Sequence, residues 1–263
     1  GFAALGGPWA RAAWGGIIHR VDPAQVVPID QIAPQYRETV AEVIRDNTFH
    51  CKGKADTFPC NPRLYLSLLN EPAVTLALWK DLSPTPARLQ QVGPGRYVGT
   101  DGVGTTATWE FVYRSPQMHV LLSDLEHVTP RGNARLNGRI VLVVRSHFFR
   151  ESAGDFWVRH DVEAFVKVDS KGWKAVATTV RPVLERILDD QIHEAGLFVS
   201  LMGRLVETYP TWAQQVVANQ AELSPEIRRN FHNLVAQIRR PGASNGRPQV
   251  LAENTEATAT RMR

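Results

Sequence analysis

The sequence predicts an α+β fold in which an antiparallel β-meander of about six strands wraps around a long C-terminal helix, with extra helices after it. Two observations carry this prediction. Before residue 86 and after residue 181, apolar residues recur every third or fourth position, which is the helical period. Between those limits they alternate with polar residues, which is typical of half-buried strands, and the intervening turns are short enough for antiparallel neighbours.

Three helices are predicted before the sheet. Residues 34–46 place their apolar side chains on one face of a helix, and Pro34 suits its first turn. Asn61 is a capping residue, and it precedes a proline that opens a second helix. Pro72 opens a third, because a proline inside a continuous helix would break it. We therefore expect a pair of short consecutive helices just ahead of the strands.

Alternating polarity marks the strands. They are expected at 88–92, 96–100, Thr105–Arg114, Gln117–Val128, Arg139–Phe149 and Phe156–Val168. In the third of these, Trp109, Phe111 and Tyr113 share one side. A sheet with so much one-sided apolar surface needs a cover. Residues 182–207 can supply it, because their apolar side chains fall on one line of a long helix. Shorter helices are expected over 208–219 and from Pro225 onward.

The element order resembles the START-like, helix-grip superfamily of StAR-related lipid-transfer and polyketide-cyclase-like proteins. The resemblance covers about residues 48–207, with local support in the helix pair of residues 61–72 that leads to Trp79. It implies a curved sheet around the C-terminal helix, with an apolar cavity between them for a lipid or other hydrophobic small molecule. It also implies a strand before the helix pair, for which residues 55–59 or 23–29 could serve.

Three regions follow from this reading. Residues 1–47 form an N-terminal arm and helix, 48–207 a START-like helix-grip domain, and 208–263 a helical extension with a basic tail. Residues 224–263 contain seven Arg and three Glu, which accounts for the whole net charge of +4. The neutral remainder argues against nucleic-acid binding, and only the C-terminal segment could attract an acidic partner. No apolar run is long enough for a transmembrane segment.

Polar residues on the inward faces are candidates for orienting a ligand. Gln191 lies within the apolar arc of the long helix, and His160 lies on the apolar side of its strand. Such a residue is either satisfied within the core or lines a pocket and binds a ligand head group. The expected ligand-binding residues are His160, Gln191, Trp109, Phe111, Phe198 and Met202.

The leading functional hypothesis is binding or carriage of a hydrophobic small molecule or lipid, without catalysis, metal or cofactor. The sequence contains no nucleophile elbow, no His-Glu-x-x-His motif and no Walker loop. Two alternatives stay open. One is an enzyme of the cyclase, dehydratase or hydrolase type that uses His160 as acid or base. The other is a protein-protein interaction module that docks through the helices after residue 208.

Cys51 and Cys60 are the only cysteines of the chain. A disulfide between them would close a loop rich in Gly, Pro and Lys and would stabilise it by about 2 to 3 kcal/mol. The even count favours this bridge and, with it, an exported protein, periplasmic or secreted. A metal site that uses His50 with both cysteines, or two unpaired thiols, are the alternatives.

Overall fold

The computed structural model describes residues 21–128, 135–152, 154–168, 198–239 and 243–248. Its helices are α1 (Pro23–Val26), α2 (Pro34–Arg45), α3 (Pro62–Asn70), α4 (Pro72–Leu82), α5 (198–208), α6 (Pro210–Ala218) and α7 (Pro225–Ile238). Its strands are β1 (Phe49–Lys52), β2 (Asp56–Pro59), β3 (Arg88–Gly93), β4 (Arg96–Thr100), β5 (Thr105–Arg114), β6 (Met118–Val128), β7 (Arg135–Arg150) and β8 (Phe156–Val168).

Prolines set the start of most helices. Proline is the first residue of α1 to α4, α6 and α7, a position at which its missing N–H leaves no helical hydrogen bond unmade. Asn61 caps α3 by accepting a hydrogen bond from the backbone N–H of Arg63, and Ser224 caps α7 in the same way through Ile227. The predicted break at Pro72 is confirmed, because α3 ends at Asn70.

The strands form one antiparallel sheet in the order β1-β8-β7-β6-β5-β4-β3, so the predicted six-stranded meander is confirmed. Two short strands precede the helix pair, and both pair with the edge of β8 that lies opposite β7. β1 pairs with residues 163–166 and β2 with residues 157–160. The extra strand expected at 55–59 is therefore present as β2. The alternative at 23–29 is wrong, because Pro23–Val26 is helical.

A β-bulge in β5 changes which way its last residues face. Phe111 pairs with Leu121 and Tyr113 with Val120, so Val112 is the additional residue on this strand. Because side chains alternate along a strand, one extra residue reverses the alternation. The expectation that Tyr113 shares a side with Trp109 is wrong, since Tyr113 packs with the apolar cluster on the opposite face of the sheet.

Helices cover both faces of the sheet. On one face, here named the outer face, α1 and α2 contact an apolar cluster that includes Val141, Val143 and Phe165. On the other, here named the inner face, α3 and α5 pack near β2 and the start of β8 through residues such as Phe58 and Met202. Helices α6 and α7 complete this second cluster.

The C-terminal helix expected over 182–207 is described from residue 198 onward, and residues 182–197 lie outside the described part of the chain. In α5, Met202 and Val206 are buried against the inner face. Glu207 accepts a hydrogen bond from the backbone N–H of Asn61, which links the end of α5 to the start of α3. Within the described ranges, every helix is too short or too polar to traverse a bilayer.

The predicted disulfide is wrong: Cys51 and Cys60 are both buried and are not joined to each other. The physical reason is the shared edge of β8. Cys51 pairs with Ala164, whereas the backbone N–H of Cys60 donates to the carbonyl of Phe156. Eight strand residues span about 26 Å, far beyond the roughly 7 Å that a disulfide tolerates. In the described part of the chain, no three His, Cys, Asp or Glu side chains are grouped to bind a metal.

Candidate functional site

An apolar cavity of about 290 Å³ lies on the inner face of the sheet. It is lined by Cys51, Pro72, Leu89, Tyr97, Trp109, Leu121, Ile140, Leu142, Ala164 and Val166. Nine of these ten residues project from strands β1 and β3 to β8, and Pro72 is the first residue of α4, so the sheet itself is the floor and wall of the cavity. The cavity volume is just below the range of about 300 to 1,000 Å³ that is usual for small-molecule pockets.

Helix α3 crosses the strands and divides the inner face. Its Tyr65 lies above β7 and β8, where Oη is 2.7 Å from Ser146 Oγ and 3.2 Å from His160 Nδ1. At its end, the Asn70 side chain lies 3.2 Å from His119 Nε2 on β6. On one side of α3 the inner face is packed by α5 and β2, and on the other side lies the cavity.

The cluster of Tyr65, Ser146 and His160 is enclosed by aromatic rings. Phe58 meets the His160 ring edge-on at 5.3 Å, and Phe148 meets Tyr65 in the same way at 5.9 Å. Burial raises the pKa of Tyr65 well above its ordinary value, so the phenol stays protonated. None of the three residues lines the cavity. Their arrangement supports α3 on the sheet through hydrogen bonds within the core.

A second group of polar side chains lies at the end of α3 nearest to β4, β5 and β6. His119 is only 1% exposed, and burial together with the nearby Arg114 lowers its pKa to about 4. Its Nε2–H can donate to the side-chain oxygen Oδ1 of Asn70, which fits a neutral imidazole. Burial also raises the pKa of Glu71, whose carboxylate lies 3.4 Å from the Tyr97 hydroxyl. These groups close one end of the inner face with hydrogen bonds.

The outer face carries a charged network that is separate from the cavity. Glu163 accepts hydrogen bonds from His50 at 2.7 Å and from Arg145 at 2.6 Å, and these partners lower its pKa to about 2. Arg145 also donates to the backbone carbonyl of Val26 at 3.1 Å. Through this contact the network attaches α1 to the sheet, and we assign it a structural part.

The structure brings only some of the expected ligand-binding residues together. Trp109 lines the cavity, and Phe111 projects from the same strand face but packs edge-on against Tyr97 and His119. His160 and Met202 lie in the packed cluster on the other side of α3.

The remaining two residues lie elsewhere. Phe198 packs edge-on against Trp79 at 5.1 Å. Gln191 lies outside the described residues. Ligand binding by the six residues therefore stays a prediction.

Sequence reasoning missed most of the cavity floor. Leu121 and Ser123 on β6 project to the inner face, whereas Met118, Val120 and Leu122, which form the more evident apolar alternation of this strand, project to the outer face. The residues at the other positions of β6, among them Leu121 and Leu125, form a second apolar series that is weaker in the sequence. Which of the two series faces the cavity depends on the pairing with β7, which the sequence does not state.

No family model and no curated protein sequence matches this chain. Solved structures are similar in fold. A conserved protein from Geobacillus kaustophilus is 12% identical, with a TM-score of 0.42 over 60% of this chain and 97% of its own. The Zhui aromatase/cyclase from a Streptomyces species is 11% identical, with a TM-score of 0.32 over 60% of this chain and 94% of its own. A START superfamily protein from Mycobacterium smegmatis is 11% identical, with a TM-score of 0.27 over 56% of this chain and 98% of its own.

Proposed function

We propose that this protein binds a hydrophobic small molecule in the cavity on the inner face of its sheet. The observation that carries the proposal is the lining, which among the described residues contains no charged side chain and is built mainly from Leu, Ile, Val and aromatic residues. Burying apolar ligand surface there would contribute about 25 cal/mol for each Å² removed from water. A space of this size among apolar walls is a site for an apolar ligand rather than for an ion or a sugar.

Binding is better supported than catalysis. The enzyme hypothesis uses His160, which is enclosed by Tyr65, Ser146 and Phe58 and does not line the cavity. A general acid or base must come within hydrogen-bonding reach of its substrate. The expected export depended mainly on the disulfide, which is absent, so export stays a prediction without that support.

The proposal is tested by filling the cavity. Leu142→Trp places an indole in the space, and the apolar probe methylnaphthalene should then bind at least ten-fold more weakly than to the wild type. His147→Trp adds the same indole to the same strand at an exposed position and should leave the affinity unchanged. Thermal unfolding of both variants confirms that they are folded. Undiminished binding by a folded Leu142→Trp variant would contradict the proposal.

Native mass spectrometry supplies the second arm of the test. The purified full chain should carry a small apolar molecule that dissociates on denaturation, and its occupancy should fall in Leu142→Trp but not in His147→Trp. Equal occupancy in the two variants would place the molecule outside the cavity.

A further inference from the structure

The volume of the apolar cavity limits the size of the ligand that it can enclose. An engineered apolar cavity of about 150 Å³ binds benzene, so each carbon atom of an enclosed ligand corresponds to about 25 Å³. By this measure the cavity of about 290 Å³ encloses about twelve carbon atoms, as in a molecule with two fused rings. A long acyl chain of about sixteen carbon atoms would need about 400 Å³.

The lining side chains differ in size across the sheet. On one side, Trp109 of β5 is opposite Tyr97 of β4, and both rings line the cavity. On the other side, Leu142 of β7 is opposite Ala164 of β8, which in turn is opposite Cys51 of β1. Since paired residues project to the same face of a sheet, the small side chains leave more room above β8 and β1 than the two rings leave above β4 and β5.

The two rings also differ in how the fold holds them. Tyr97 is 1% exposed, its hydroxyl is 3.4 Å from the Glu71 carboxylate, and its ring packs edge-on against Phe111 at 6.3 Å. Trp109 is only partly buried, and it has the largest side chain among the described lining residues. Tyr97 is therefore part of the packed wall, whereas the Trp109 indole takes up space that a larger ligand would need.

We propose that Trp109 determines the upper size limit of the ligand, which is a compact molecule of two fused rings rather than a long-chain lipid. This inference rests on the proposed function, because it names the ligand class of the same cavity. A flat ring matches the site in shape as well as in size, since aromatic rings pack against one another in offset or edge-on arrangements. A larger molecule would overfill the space between the Trp109 indole and the opposite wall, which is unfavourable in a packed apolar environment.

The test compares the affinities for methylnaphthalene, methylanthracene, which has one more fused ring, and hexadecanol, which has a long chain. The wild type should bind methylnaphthalene at least ten-fold more tightly than either of the others. Trp109→Leu should improve binding of methylanthracene relative to methylnaphthalene by at least ten-fold. The matched control is Trp79→Leu, which removes an indole that packs against Phe198 outside the cavity lining and should keep the wild-type ratio.

The outcomes are distinguishable. If the wild type binds methylanthracene or hexadecanol as tightly as methylnaphthalene, or if folded Trp109→Leu keeps the wild-type ratio, the size limit is overturned while the proposed function stands. An equal change of the ratio in Trp79→Leu would overturn it as well. If Trp109→Leu does not fold, the milder Trp109→Phe should shift the ratio in the same direction, and an unchanged ratio would be decisive against Trp109. If the wild type binds none of the probes, the proposed function also fails.

Discussion

Replacement of His119 by Gln should make the protein less sensitive to acid. In the fold, burial and Arg114 lower the pKa of His119 to about 4, whereas the ordinary value of 6.5 applies in the unfolded chain. The unfolded state therefore takes up a proton at a higher pH than the folded state. The stability associated with neutral His119 is complete above pH 6.5 and is lost as the pH falls towards 4.

The two pKa values set the size of this loss. Relative to pH 7, the free energy of unfolding should fall by about 2 kcal/mol at pH 5 and by about 3 kcal/mol at pH 4 through this residue alone. Gln cannot take up a proton, so His119→Gln should not show this part of the loss. Its amide can still donate to Asn70, the partner of His119 in the fold.

Urea denaturation at pH 7, 5 and 4 measures the effect. The quantity compared is the loss of stability between pH 7 and pH 4 in each protein, which cancels the contribution of other groups such as Glu163. The control is His147→Gln, which removes an exposed histidine from β7 and should lose as much stability as the wild type. If His119→Gln also loses as much as the wild type, the reasoning about His119 is refuted.

Two further predictions concern the cysteines. A Cβ atom on Gly203 of α5 would lie 2.9 Å from Cys60 Sγ, so Gly203→Ala should lower the free energy of unfolding by about 1 to 3 kcal/mol. In a Cys60→Ala background, urea denaturation should show that Gly203→Ala costs much less stability, because the clashing sulfur is gone. An equal cost in both backgrounds would contradict the close contact between Gly203 and Cys60. Because Cys51 lines the cavity and Cys60 lies in the packed cluster, N-ethylmaleimide should modify Cys51 first, and bound methylnaphthalene should slow this reaction. Peptide mass spectrometry measures both rates, and faster modification of Cys60 would refute the assignment.

The order of elements could be predicted because its signals are local. Pro34, Pro62 and Pro72 mark helix starts through the fixed geometry of proline, and the alternation along β8 shows a strand without reference to its neighbours. The face of the sheet to which the Tyr113 side chain projects could not be predicted in this way. It depends on the bulge at Val112, and a bulge is a property of two paired strands rather than of one.

The cysteines illustrate the same limit. Their short separation in sequence favours a closed loop, and a closed loop would follow if β1 and β2 formed a hairpin. Instead both strands pair with β8, one after the other, so the chain between them continues along the edge. The residues between the cysteines are compatible with either path. Only the pairing with β8, which lies about a hundred residues later, decides between them.

The position of α3 explains why His160, which the sequence predicts to bind a ligand, is enclosed instead. Because α3 crosses the strands, the polar groups beneath it find partners: His160 with Tyr65, and His119 with Asn70. The cavity lies on the other side of α3, where the described lining residues are mainly apolar. Strand alternation gives every inward-facing polar residue the same description. Only the packing of the helix on the sheet decides which of these residues is satisfied within the core and which part of the inner face stays open.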